Sequence, residues 1–235
     1  MHDMKMVDIF RLPVFTFKFK DHEKYKDIWF NILKDEKVWL SKESKSVTLS
    51  IPTLHKIEQF NPLRVFFLEC LYEVLTELGL NTEIGLTSVW ATKHENEDFH
   101  HSHTHGNTLF AGCYYFDSDS EKPSGTVFQN VMGDFYAFNR ITNPIPNRNK
   151  ISHSFHYDYE EIFEEGKLVI FPGWLRHTTR KNAGEKRYII GFNSMPIGQS
   201  DDDRYDRYYY QDFRDKPMMG DELEVYKYKN EVEII

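Results

Sequence analysis

The sequence predicts a mainly β, α+β fold in which two N-terminal helices back a β-sandwich or barrel. Helical periodicity is confined to the part of the chain before Gly79, and from there the apolar spacing becomes strand-like. Five short β-branched or aromatic runs then follow one another, each bounded by Gly, Pro, Asn, Asp or Ser. With 235 residues, 40% hydrophobic and 16% aromatic, the chain can fill one sizeable core or two small ones, which excludes a disordered tail or a fibre.

The first element is the segment IFRLPVFTFKF, an opening strand in which Pro13 suggests a sheet edge or a bend. A helix follows from Asp21, where Tyr25, Ile28, Trp29, Ile32 and Leu33 form one apolar stripe while Lys24, Lys26, Lys34 and Asp35 stay in water. Residues 40–60 are polar and read as a loop with at most one short strand. The second helix has a start, a period and a stop: Asn61 as cap, Pro62 in the first turn, an apolar face from Leu63 to Leu78, and Gly79 at the end. Strands are then expected at 84–93, 109–117, 125–131, 167–173 and 187–194. The stretch 136–165, with Arg140, Arg148, Lys150, His153 and His156, is long and weakly patterned, as functional loops are. The segment 199–235 begins with the acidic run at 200–203, carries Tyr205, Tyr208, Tyr209 and Tyr210, and reads as an extended appendage. No repeat or linker divides the chain, so one domain is expected: a supporting part (1–83), a β core (84–198) and the appendage (199–235).

Lys and Arg total 29 against 37 Asp and Glu, a formal charge of -8, which argues against a general nucleic-acid or anionic-membrane binder. No apolar run is long enough for a membrane span and the first residues lack a signal-peptide core, so a cytoplasmic protein is expected. Cys70 and Cys113 both lie in apolar segments and read as core thiols rather than a disulfide.

The anomaly is histidine. Of 11 in the chain, His94, His100, His101, His103 and His105 fall within twelve residues. Neutral imidazole is the commonest transition-metal ligand, and in an extended strand His101, His103 and His105 face one side while His100 faces the other. Alone, such a cluster is as readily an exposed polar loop. Further along, Phe171, Pro172, Gly173, Trp174, Leu175, Arg176 and His177 follow an apolar strand, and Arg187 opens the next. A histidine ending one strand and an arginine opening a neighbouring antiparallel strand can share a cavity, the first on a metal and the second gripping a carboxylate with its planar fork.

The whole order resembles the 2-oxoglutarate/Fe(II)-dependent oxygenases of marine bacteria and their phages, relatives of prolyl hydroxylases. The matching positions are Trp90, His103-Thr104-His105, Gly112, Tyr114-Tyr115, Phe171-Pro172, Trp174-Leu175, His177, Arg187 and Phe192-Asn193. The resemblance implies a double-stranded β-helix, a cupin-like jelly roll, holding Fe(II) and 2-oxoglutarate. It implies His103, His105 and His177 as metal ligands, and Arg187, Tyr115 and Asn193 as cosubstrate-binding residues. Since Tyr114 and Tyr115 face opposite sides of a strand, only one of them can reach the cosubstrate, and Tyr115 is preferred.

The superfamily triad has a carboxylate where this chain has His105. Two other ligand sets therefore stay open: His103 and His177 with water or a distant carboxylate such as Asp134, or a shift to His101 and His103. His94 and His100 are taken as incidental. The activity implied is oxidation of a peptidyl (proline-like) or small-molecule substrate with O2, releasing succinate and CO2, with ascorbate as support. The alternatives are a cupin-type metalloprotein or three-histidine dioxygenase that does not use 2-oxoglutarate, and a non-catalytic binding protein. The cytoplasm would be the host's if the chain is phage-encoded. Nucleic acid is disfavoured as a partner, and oligomeric state is not specified by the sequence.

Overall fold

In the computed structural model, residues 12–40, 47–131 and 158–197 are described. Asp134, the basic and histidine residues of the 136–165 stretch, and the 199–235 appendage lie outside them.

Two antiparallel sheets form the body. The larger takes strands β1 (Phe15–Lys18), β2 (Thr48–Leu49), β3 (Glu83–Glu95), β4 (Phe110–Ser118), β7 (Lys167–Pro172) and β9 (Lys186–Ile197) in the order β1-β7-β4-β9-β3-β2. The smaller takes β5 (Thr126–Gln129), β6 (Asp158–Glu160) and β8 (His177–Thr179) in the order β6-β5-β8. The mainly β reading holds, and Pro13 does precede an edge strand. The large sheet also recruits β1 and β2 from the N-terminal part of the chain.

Both faces of the large sheet are covered, which is why its strands read as nearly unbroken apolar runs. On one face Tyr114, Phe116, Leu168, Ile170, Tyr188, Ile190 and Phe192 pack against α1 (His22–Leu33) and α2 (Asn61–Glu77). The alternate residues Ala111, Tyr115, Val169, Phe171 and Ile189 face inward with Phe128, Phe163 and Leu175. Trp29 anchors the helical layer: it is fully buried, stacks on Phe60 at 5.8 Å, and donates its indole N–H to the Gln59 carbonyl at 2.8 Å.

The helices depart from the sequence reading in three places. Ile28 is 43% exposed, because α1 buries a narrower stripe of His22, Trp29 and Leu33. Lys26 does not stay in water but bonds Asp117 at 2.7 Å and Glu165 at 2.6 Å, pinning α1 to the sheet. Asn61 does not cap α2. It lies within the helix with αR dihedrals, and its side-chain oxygen accepts from Arg64. Gly79 does end α2, at φ +67°, a left-handed conformation that costs glycine little. The polar stretch after α1 contains β2 and two short 3-10 turns (Leu54–Lys56 and Glu58–Phe60), each placing an apolar residue in the core. Among the described residues no helix is long and apolar enough to cross a membrane. Cys70 and Cys113 are free thiols.

Candidate active site

The site lies between the sheets, where the chain after β3 meets β8. His103 and His177 are clamped main chain to main chain: each N–H donates to the other's carbonyl at 3.0 Å. His105 is fixed by its own N–H, which donates to the Gly173 carbonyl at 2.8 Å. That approach needs a glycine, because a Cβ at position 173 would stand 2.4 Å from the Thr108 carbonyl.

The side chains converge. Ring centroids are 4.3 Å apart for His103 and His177 and 5.1 Å for each of the other two pairs. One ligand nitrogen from each lies within 4.8 Å of the others, a set able to hold a metal ion. His177 Nδ1 lies 2.9 Å from the Leu175 carbonyl, and His103 Nδ1 lies 2.7 Å from the His101 carbonyl. A carbonyl only accepts, so both Nδ1 atoms carry the proton and both Nε2 lone pairs face the centre, as metal-ligating imidazoles require. His105 Nε2 stands 3.3 Å from His177 Nε2. Two nitrogens roughly 2.1 Å from one ion, at angles near 90–110°, stand roughly 3 to 3.4 Å apart. Phe171 and Trp90 wall the trio, their rings 4.6 Å from His177 and 6.0 Å from His105.

Burial keeps these imidazoles neutral. It pushes His177 down to about 2, with the neighbouring His103 adding to the effect. His105 is pushed down to about 4 by burial and by His103, against a smaller opposing effect of the Asn193 amide. His103 is lowered by burial, which outweighs its bond to the His101 carbonyl. The unfolded chain therefore binds protons that the metal-free fold refuses. Stability is full above about pH 6.5 and falls as pH drops towards the folded values, by up to ~1.4 kcal/mol per pH unit for His177 alone. Urea unfolding of metal-free protein should give nearly the same midpoint at pH 8 and 7 and a clearly lower one at pH 5.5. A midpoint unchanged at pH 5.5 would contradict the burial of these rings.

Arg187 is fully buried near the start of β9. It donates to the Ser124 carbonyl at 2.9 Å and to the Arg180 carbonyl at 3.4 Å, while its Nε has no partner. Among the described residues it bonds no carboxylate, and desolvation pulls it down to about 10. His177 and Arg187 do not sit on neighbouring strands of one sheet, as the sequence reading had them: β8 belongs to the small sheet and β9 to the large one, so they face each other across the interior. A cavity of about 30 Å³ is lined by His100, His103, His105, His177, Thr126 and Ile189 among others.

Tyr114 and Tyr115 point to opposite faces. The Tyr114 hydroxyl meets His22 Nδ1 at 2.6 Å in the helical core. Tyr115 faces inward, donates to Thr126 Oγ1 at 3.1 Å and accepts from the Thr126 N–H at 2.9 Å. Asn193 shares the inward face of β9 with Arg187 but lies beyond Gly191 at the opposite end, near His105. His101 is exposed with its ring against Phe99, so its carbonyl rather than its ring serves the site. The two histidines read as incidental lie at the site: His94 is fully buried and His100 is half-buried, and both line the cavity.

Residues 88–193 match the family model described as "Putative 2OG-Fe(II) oxygenase". No curated protein matches the sequence significantly. Similar solved structures include a prolyl-4-hydroxylase from Pseudomonas putida, with TM-score 0.53 and 9% identity over 77% of this chain and 92% of that one. HygX from Streptomyces hygroscopicus, solved with nickel and 2-oxoglutarate, gives TM-score 0.53 and 10% identity over 85% and 91%. The epimerase SnoN, solved with Fe3+, alpha-ketoglutarate and nogalamycin RO, gives 0.57 and 10% over 79% of each chain. At such identities the structures establish the shared jelly-roll fold, and the family match supplies the chemistry. The matched segment carries His103, His105, His177 and Arg187, and over residues 88–193 the chain is similar to the 2-oxoglutarate- and Fe(II)-dependent oxygenases.

Proposed function

We propose that this chain oxidises a C–H bond of a small-molecule or peptidyl substrate, proline-like in the peptidyl case, by one active site built from His103, His105, His177 and Arg187. The observation that supports it most is Arg187. Among the described residues this buried cation bonds only main-chain carbonyls and its Nε has no partner, and His94, its register partner on β3, lines the same cavity as the imidazole trio. Burying a charge that no carboxylate bonds directly is costly, so the site favours an anion at the guanidinium. A dianionic 2-oxo acid meets that need.

In this reading His103, His105 and His177 hold Fe(II) through Nε2, their Nδ1–H groups remaining on carbonyls where these are present. With 2-oxoglutarate and O2, the iron supplies oxidative decarboxylation to succinate and CO2 coupled to oxygen transfer. The protein's own residues do the rest. Arg187 takes the distal carboxylate. Tyr115 donates its hydroxyl proton to Thr126 and thereby orients that side chain on the cavity wall. Trp90 and Phe171 exclude water from the trio, and Asn193 steadies His105. Three neutral ligands leave the iron one charge more positive than a 2-histidine-1-carboxylate set does, which favours the dianionic cosubstrate.

Purified protein given Fe(II), 2-oxoglutarate and air should release succinate slowly without any prime substrate, and a chelator should stop it. Failure to turn over 2-oxoglutarate together with failure to bind it to the metal-loaded protein would overturn the proposal.

A further inference from the structure

β3 pairs with β9 from Glu83 to Glu95, but on its other side only its second half has a neighbour. There β2 pairs with Thr92 and Lys93, the Ser50 N–H donates to the Ala91 carbonyl at 2.8 Å, and the Val89 N–H donates to the Pro52 carbonyl at 2.9 Å. Among the described residues nothing continues that pairing towards Glu83. Register decides which groups face the open side. The Ser194 carbonyl accepts from the Leu109 N–H at 2.9 Å, on the β4 side, so its partner Leu86 turns its own N–H and carbonyl away from β9. Ile84 repeats the pattern opposite Pro196, which has no N–H to give. Two donors and two acceptors therefore line a free strand edge, one rung (two residues, ~7 Å) apart.

This edge borders a cavity of about 640 Å³ that α2 and the 3-10 turns before it close on the other side. Ile57, Leu68, Tyr72 and Ile197 supply apolar lining, and Tyr72 is 46% exposed. Lys56 and Arg64 line it against one carboxylate, Glu58, in a chain whose formal charge is -8. Among the described residues Arg64 bonds only the Asn61 side-chain oxygen, at 3.0 and 2.6 Å. Met195, at the inner end, lies one rung beyond Asn193, the neighbour of His105. A small amphipathic anion would use the lining and the cations but leave the strand edge unpaired. An extended peptide uses all three, because its own N–H and carbonyl groups alternate as those of the edge do.

We propose that this groove is a docking site for an extended, acidic peptide segment of another protein, added to β3 as a strand at Ile84 and Leu86 with its carboxylates towards Arg64. The groove shares no lining residue with the cavity at the histidine trio, so the proposal does not rest on the metal assignment.

The test uses the full chain without metal and a fluorescent, N-acetylated octapeptide of alternating valine and glutamate, its binding followed by anisotropy. Wild-type protein should bind this probe and bind a lysine-for-glutamate counterpart at least tenfold more weakly. Arg64→Glu should lose roughly tenfold in affinity for the glutamate probe and gain affinity for the lysine one, an exchange that misfolding cannot produce. Strand addition also predicts a phase. N-methylation of alternate residues should abolish binding in one phase, where the methyl groups replace the hydrogens that point at β3, and leave it within threefold in the other. No binding by wild-type protein overturns the proposal, as does an equal response to both methylation phases. Binding that appears only when Asp201, Asp202 and Asp203 are all changed to Ser also overturns it, assigning the groove to the chain's own acidic run.

Discussion

His177→Ala should abolish stoichiometric iron binding and bring succinate formation below detection. His177 is the most deeply buried member of the trio, at 4% exposure, and its Nε2 stands 3.3 Å from that of His105. Its Nδ1–H is fixed on the Leu175 carbonyl, so its lone pair has one direction to point. Loss of a ligand exceeds the 10- to 100-fold penalty typical of disturbing a ligand's outer hydrogen-bond partner, so metal affinity should fall by more than ~100-fold. The substitution also removes the imidazole that most resists protonation, and the metal-free variant should lose less stability than wild type between pH 7 and 5.5. The two readouts separate a lost ligand from a broken fold. Wild-type-like iron binding in a folded His177→Ala protein would remove His177 from the metal site.

Local pattern made most of the fold legible. α1 and α2 follow from apolar spacing, Pro62 and Gly79, and five of the strands follow from β-branched and aromatic runs with turn residues between them. β8 was not legible, because three residues carry no period. Nor was its sheet: β8 reaches β5 and His103 through pairings that join distant parts of the chain, and no local signal specifies such partners. That is why His177 and Arg187 were placed on adjacent strands when the fold sets them across an interior.

The resemblance supplied the trio, which spacing alone could not, since a step of two residues serves His101 and His103 as well as His103 and His105. His100 was misread for a definite reason. A regular strand turns His100 away from the face of His103. Here the pairing advances by two residues on β8, from His177 to Thr179, but by three on the facing chain, from His103 to His100. The extra residue acts as a bulge and brings the ring of His100 back into the cavity. The place of His94 was missed because it is set by register, opposite Arg187 on β9, and register is invisible without the sheet. In a three-dimensional reading, the histidine-rich segment divides by depth: His103 and His105 beside the metal position, His100 one rung in, and His94 level with the arginine.

Arg187→Ala should leave metal binding intact and weaken 2-oxoglutarate by ~100-fold or more, the scale expected when a buried, fork-shaped pair of charge-assisted bonds is lost. The fold should survive. Among the described residues Arg187 bonds the Ser124 and Arg180 carbonyls and no carboxylate, so removing this buried cation relieves a desolvation cost that offsets the two lost bonds. Arg187→Lys should fall between wild type and Arg187→Ala, because lysine keeps a charge but has neither the reach nor the planar fork. The decisive comparison varies the ligand along with the protein. A 2-oxo acid that lacks the distal carboxylate chelates a metal as well as 2-oxoglutarate does but offers Arg187 nothing to grip. Its affinity for wild-type protein should already be low, and it should be nearly unchanged by Arg187→Ala, whereas the affinity for 2-oxoglutarate collapses to the same level. A double-mutant cycle across the guanidinium and the distal carboxylate would then assign the difference to that one contact. Equal losses for both acids would place Arg187 in the framework of the cavity instead of on the cosubstrate, and calorimetry on the metal-loaded variants distinguishes the two.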